Sequence, residues 1–172
     1  MGKRNICNIS NANVYIGGVN HIGKADDVKV SGNYKFVTKK PLGMIGPQEF
    51  FAGLEKIEAE IKWNSFYSDV YKQVANPQVP VEMQFRSNVE KYTGDELTEQ
   101  VPLIYYLRAK ANNFPEFGQK QQEQHEASTK FTVTYVRIVE NGQNLLEIDL
   151  ESELFVVNGV DVFKQYRKNI GA

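Results

Sequence analysis

Reactive side chains are scarce in this sequence: one cysteine, Cys7, and two histidines, His21 and His125, are spread over 172 residues. A lone cysteine closes no intramolecular disulfide, and no Cys/His cluster has zinc-ligand spacing, so a reducing compartment is the natural expectation. The two histidines stand far apart in polar segments, which predicts solvated surface residues rather than an acid–base pair. Ser10, Ser65 and Ser128 lie in no nucleophile elbow, and no phosphate loop is present. Gly17-Gly18 with Gly23 is followed by a polar segment and a strand where a dinucleotide fingerprint needs a helix. Glu55, Glu58 and Glu60 alternate beside Lys56 and Lys62, the pattern of a solvated sheet face rather than a metal site or a carboxylate pair. No cofactor and no metal is expected, and an enzyme has no constellation to stand on.

An excess of one charge is also missing. Twenty Lys and Arg against 21 Asp and Glu leave a net charge of -1 and a pI near 6.2. That balance gives no basic footprint for nucleic-acid binding. No apolar run approaches the roughly 18 residues of a membrane span, and MGKRNICNISNANVYIGG lacks the apolar centre of a signal peptide. The expectation is a soluble protein made in the cytoplasm. What is present is apolar residues at 41% and aromatics at 12%, enough to offset chain entropy in one domain over 1–172. Neither an internal repeat nor a low-complexity tract occurs.

Strand patterns dominate. Asn13 to Gly18 reads as a short strand closed by glycines, and Val28 to Lys39 as a strand interrupted at Gly32. KKPLGMIGPQEFFAG is broken by proline and glycine yet carries Leu42, Met44, Ile45, Phe50 and Phe51, so it reads as an apolar loop. From Ile57 to Trp63, Ile57, Ala59, Ile61 and Trp63 fall on one face and Glu58, Glu60 and Lys62 on the other, a half-buried strand. The period then changes: Phe66, Tyr67, Val70, Tyr71 and Val74 fit a helix capped by Asn64 or Ser65 and stopped by Asn76-Pro77. Val79 to Arg86 and Val101 to Leu107 alternate as strands separated by a polar stretch, and 112–130 reads as a polar loop. Asn141-Gly142 between KFTVTYVRIV and NLLEIDL is a tight hairpin signal, since both residues tolerate positive φ. A short helix begun by Asp161 closes the chain.

The C-terminal quarter carries a more specific signal. Glu147-Ile148-Asp149, then VNGVD at 157–161, Arg167 and a closing Ile170-Gly171 resemble the end of the major tail tube proteins of contractile-tailed phages and R-type pyocins. Asn13-Val14-Tyr15-Ile16 with Gly18 resembles that family's first strand. Gly43-Met44, Pro47, Gly53-Leu54-Glu55 and Ile57-Glu58-Ala59 resemble its central segment, and Lys120, Glu123 and Glu126 the charged segment before its last hairpin. Three positions depart from the pattern: Leu42, Ala109 and Gln122 stand where the family favours glycine, which bears on local loop geometry.

The resemblance implies a mainly β, antiparallel sandwich or barrel with one flanking α-helix, and a structural role. Copies would close hexameric rings that stack into a tube inside a virion tail, with a sheath protein outside and a tape-measure protein and DNA passing through the lumen. On that reading the apolar segment with Leu42, Met44, Ile45, Phe50 and Phe51 meets the next subunit or ring. Glu58 and Glu60 are candidates for a lumen face that repels phosphate. The alternatives are a tube protein of a type VI secretion or other contractile injection system, and a small β-barrel binding module.

Overall fold

The computed structural model describes residues 4–172 except 122, 124 and 126, so Gln122 and Glu126 lie outside the described residues. In chain order the elements are β1 (Asn5–Ile16), β2 (Val19–Asn20), β3 (Ala25–Ser31), β4 (Tyr34–Lys39), β5 (Gln48–Leu54), β6 (Ile57–Trp63) and α1 (Ser68–Val74). They continue with β7 (Val81–Thr93), β8 (Glu96–Ala111), β9 (Ala127–Glu140), β10 (Gln143–Asp149), β11 (Leu154–Val157), β12 (Val160–Asp161) and α2 (Lys164–Ile170). The architecture is mainly antiparallel β, as the sequence predicts, with a second short helix at the C-terminal end.

One ten-stranded sheet runs β12-β11-β10-β9-β8-β7-β1-β2. Strand β9 serves two neighbours along one edge: its first half pairs with β6 and its second half with β10, while β8 follows the other edge. Strand β3 extends the sheet beyond β6. The His21 amide donates to the Val14 carbonyl, one step beyond the Tyr15–Asn20 pair of the β1–β2 hairpin.

Alternation decides which face is inside. Ile57, Ala59, Ile61 and Trp63 are buried together with Val14, Ile16, Met83, Phe85, Leu107, Phe131 and Val133, and α1 adds Val70 and Val74. Transfer of each large side chain from water contributes on the order of 2 kcal/mol, which fixes the register, because a one-residue slip would expose the whole set.

Four expectations are corrected. Strand β1 begins at Asn5, well before Asn13, because its first half pairs with β7. The polar stretch 88–100 continues both strands: β7 and β8 run on as a hairpin to the turn at Gly94 (φ 67°), maintained by the strand ladder and, at its inner end, by the buried Val89–Val101 pair. Helix α1 starts at Ser68 with no side-chain cap, since Asn64 instead donates to the Gly23 carbonyl and accepts from the Tyr67 hydroxyl at 2.5 Å. Phe50 and Phe51 lie not in a loop but on β5, which pairs with β4 as a separate two-stranded sheet.

His21 is a further correction. It is buried at 1% exposure, edge-on to Trp63, with Nε2 3.1 Å from Gln73 Oε1 on α1. Its Nδ1 lies 3.7 Å from Asp69, which also takes a hydrogen bond from Lys24. A short polar sequence therefore sits under a helix. The Asn141-Gly142 turn has φ of 48° and 80°, as the hairpin requires.

Candidate functional site

Two surfaces stand out. The first is the β4–β5 hairpin, whose cross-strand pairs put Tyr34, Phe36 and Phe51 on one face and Val37 and Phe50 on the other. The first face is covered in part: Phe51 lies 5.8 Å from Phe163 and 6.0 Å from Tyr34, and Tyr34 reaches Phe155. An open apolar groove of about 460 Å³, lined in part by Phe51, Leu54, Phe155 and Tyr166, adjoins this cluster. The second face has no aromatic partner from the rest of the chain in the contacts above, although Tyr34 and Phe36 on the first face are as exposed as Val37 and Phe50. Phe50 and Val37 are exposed, as is Met44 in the connection, and Leu42 and Ile45 at the hairpin tip are fully exposed. An isolated hairpin is marginal in water, so the aromatic cluster with α2 is what holds this one in place.

The second surface is the outer face of the large sheet. Registers align its side chains in rows. Tyr15, Gln84, Tyr106, Arg137 and Glu147 form one row across β1, β7, β8, β9 and β10. Glu82, Arg108, Tyr135 and Asp149 form the next, and Lys110, Thr132, Glu58 and Ser31 lie one row further on. The β9 bulge opposite Arg108 and Ala109 keeps these rows on one face. Glu58 and Glu60 thus belong to the same face as the arginines.

That face is a mesh of polar contacts. Arg86 donates through Nε and Nη2 to Gln84 Oε1 (3.1 and 2.8 Å) and stacks 4.7 Å from the Tyr15 ring. Arg137 lies 5.5 Å from the Tyr106 ring, and Arg108 donates to Glu151 at 3.0 Å with Asp149 at 3.6 Å. A hydrogen bond from Lys56 at 2.7 Å holds the Glu58 carboxyl below its usual range. Glu60 is set between Lys29 and Lys130 by register, so this end of the face is mixed in charge rather than acidic. Hydrogen bonds from Tyr92 and Asn8 lower Glu90 in the same way. Burial first, then the hydrogen bond donated to Glu147, pushes the Tyr135 phenol up.

The C-terminal motif has a structural explanation. Asn158 and Gly159 take φ of 50° and 78° to turn β11 into β12. Asp161 then accepts the Phe163 amide and pairs with Arg167, which also donates to the Glu153 carbonyl. Glu147 accepts from Tyr135 and Asn144, and Asp149 from the Glu151 amide. These residues hold the end of the chain, and through Phe155 and Phe163 they seat the hairpin.

Among the described residues no group of three or more His, Cys, Asp or Glu side chains is placed to hold a metal, and no helix is long and apolar enough to cross a membrane. The distinctive features of the described residues are these two surfaces. The model of the phage tail tube protein FII family matches residues 7–171, and the chain belongs to that family. It is 26% identical over 166 residues to the tail tube protein of Escherichia phage P2, covering 92% of this chain and 94% of that one. Its fold resembles a chain in the cryo-EM structure of an extracellular contractile injection system, the PVC sheath–tube complex in the extended state. The TM-score is 0.51 at 12% identity, over 74% of this chain and 87% of that chain. The protein is a structural component of a phage tail and not an enzyme.

Proposed function

We propose that this chain closes hexameric rings that stack into the inner tube of a contractile tail, with a sheath protein outside and a tape-measure protein and then DNA within. The observation that carries the reading is the β4–β5 hairpin. A two-stranded sheet with apolar side chains on both faces, Phe50 open on one and Leu42 and Ile45 bare at its tip, needs a protein surface to cover it. A neighbouring copy supplies that cover, with Leu42, Met44, Ile45 and Phe50 making the contact and Phe51 contributing what its packing on Phe163 leaves exposed.

The polar outer face then turns toward the lumen, with Glu58 and Glu60 at one end of it. Five strands per copy, β1, β7, β8, β9 and the β6 and β10 pair along its far edge, spaced about 4.8 Å apart, give a hexamer a wall roughly 144 Å around and about 46 Å across before strand tilt widens it. That leaves room for a nucleic-acid duplex. The test is electron microscopy of the concentrated protein with and without Phe50→Ser. The reading predicts tubes from the native chain and none from the variant. Native chains that stay monomeric, or variant chains that polymerise normally, count against it. A sheath gene beside this one would separate a phage tail from other injection machines.

A further inference from the structure

We infer that the arginines of the polar sheet face are held by their own neighbours so that the wall passes a duplex polyanion without gripping it. The inference rests on the lumen reading above for its biological use, but not for its chemistry. The face crosses five strands and carries Arg86, Arg108 and Arg137, which in a phosphate-binding protein would be the contact residues. Each is already engaged. Arg86 spends two donors on Gln84 and its flat surface on Tyr15. Arg108 is shared by Glu151 and Asp149. Arg137 sits over the Tyr106 ring at 5.5 Å, in a row with Glu147, whose two oxygens are taken by Tyr135 and Asn144.

At Arg86 an aromatic ring and an amide together occupy both the plane and the edge of the guanidinium, the two ways it would meet a nucleic acid; at Arg108 carboxylates take the edge, and at Arg137 a ring takes the plane. Phosphate must displace an existing partner to bind, so contacts are brief and the polyanion keeps moving. Carboxylates alone would serve less well as a wall, since repulsion along the whole path would resist entry. A surface with cations present but engaged is close to neutral at every point along the path. Lys130 stands opposite Glu60, and Lys110 lies in the row of Glu58, so each lysine shares the face with a carboxylate.

The test uses the purified full chain, because the face is exposed on a single copy and binding can be read whether or not tubes form. Fluorescence anisotropy of a labelled DNA duplex at low salt is compared for the native protein and Tyr15→Ala with Gln84→Ala, which frees Arg86 without changing net charge. The expected result is negligible affinity for the native chain and a gain of about three- to tenfold for the variant. The gain should come with a steeper salt dependence, as each new phosphate contact adds about 0.9 to the logarithmic slope. Adding Arg86→Gln should remove the gain. Glu151→Gln, which loosens Arg108, repeats the test if the first variant unfolds. Asp95→Asn, at the β7–β8 turn and off the face, changes net charge as Glu151→Gln does and should bind no better than native. Tight binding by the native chain, or released variants that bind no better than Asp95→Asn, overturns the inference. Absence of tubes with the predicted binding pattern would instead indict the ring assembly alone.

Discussion

The Asp161 carboxylate is gripped by Arg167, six residues further on, while the same side chain accepts the Phe163 amide. The Arg167 hydrogen bond holds the Asp161 carboxyl below its usual range. A carboxyl depressed by folding adds stability wherever the unfolded chain's carboxyl is ionised, and that contribution drains as pH falls through the depressed value. Native protein should therefore be more stable than Asp161→Asn at neutral pH, and the gap should close below about pH 4. Urea titrations of both chains across that range check it, and a gap that widens in acid would be the wrong sign.

Trp63 Nε1 donates to Thr129 Oγ1 at 3.1 Å with both side chains buried. Trp63→Phe leaves that hydroxyl without its donor and opens space, so a loss of about 1–3 kcal/mol is expected. Combining it with Thr129→Val should recover part of the loss, giving a coupling of about 1 kcal/mol in a double-mutant cycle.

Phe50 and Phe51 are neighbours in sequence on opposite faces of one hairpin. Phe50→Ser should change subunit stability by less than about 0.5 kcal/mol yet block polymerisation. Phe51→Ser removes the ring packed on Phe163 and should also loosen the hairpin, seen as faster proteolysis between Pro41 and Gln48. Equal protection in the two variants would contradict the split.

Gly159 turns β11 into β12 at φ 78° with nothing near its missing Cβ. Gly159→Ala should cost about 1 kcal/mol from backbone strain alone. Thermal unfolding measures this, and an unchanged midpoint would mean the turn relaxes.

Legibility followed burial. Strand β6 and the β9–β10 hairpin were readable because one face of each is apolar and Asn141-Gly142 can only turn tightly. The outer half of the β7–β8 hairpin was not, because Asn88 to Gln100 is mostly polar on both faces and its strands are specified by partner registers. Strand β5 was obscured because both its faces are apolar and Gly53 interrupts it. His21 was misread since its burial comes from α1 and Trp63, remote in sequence. The family motif was legible, but its physical content, an Asp161–Arg167 grip that seats the aromatic cluster, required the fold.

The most direct test of the account is cryo-electron microscopy of polymers grown from the purified chain. The account predicts stacked hexameric rings with the Tyr15–Gln84–Tyr106–Arg137–Glu147 row facing the central channel and the β4–β5 hairpin seated on a neighbouring copy. Polymers with that row on the outer surface, or a hairpin left in solvent, would contradict it.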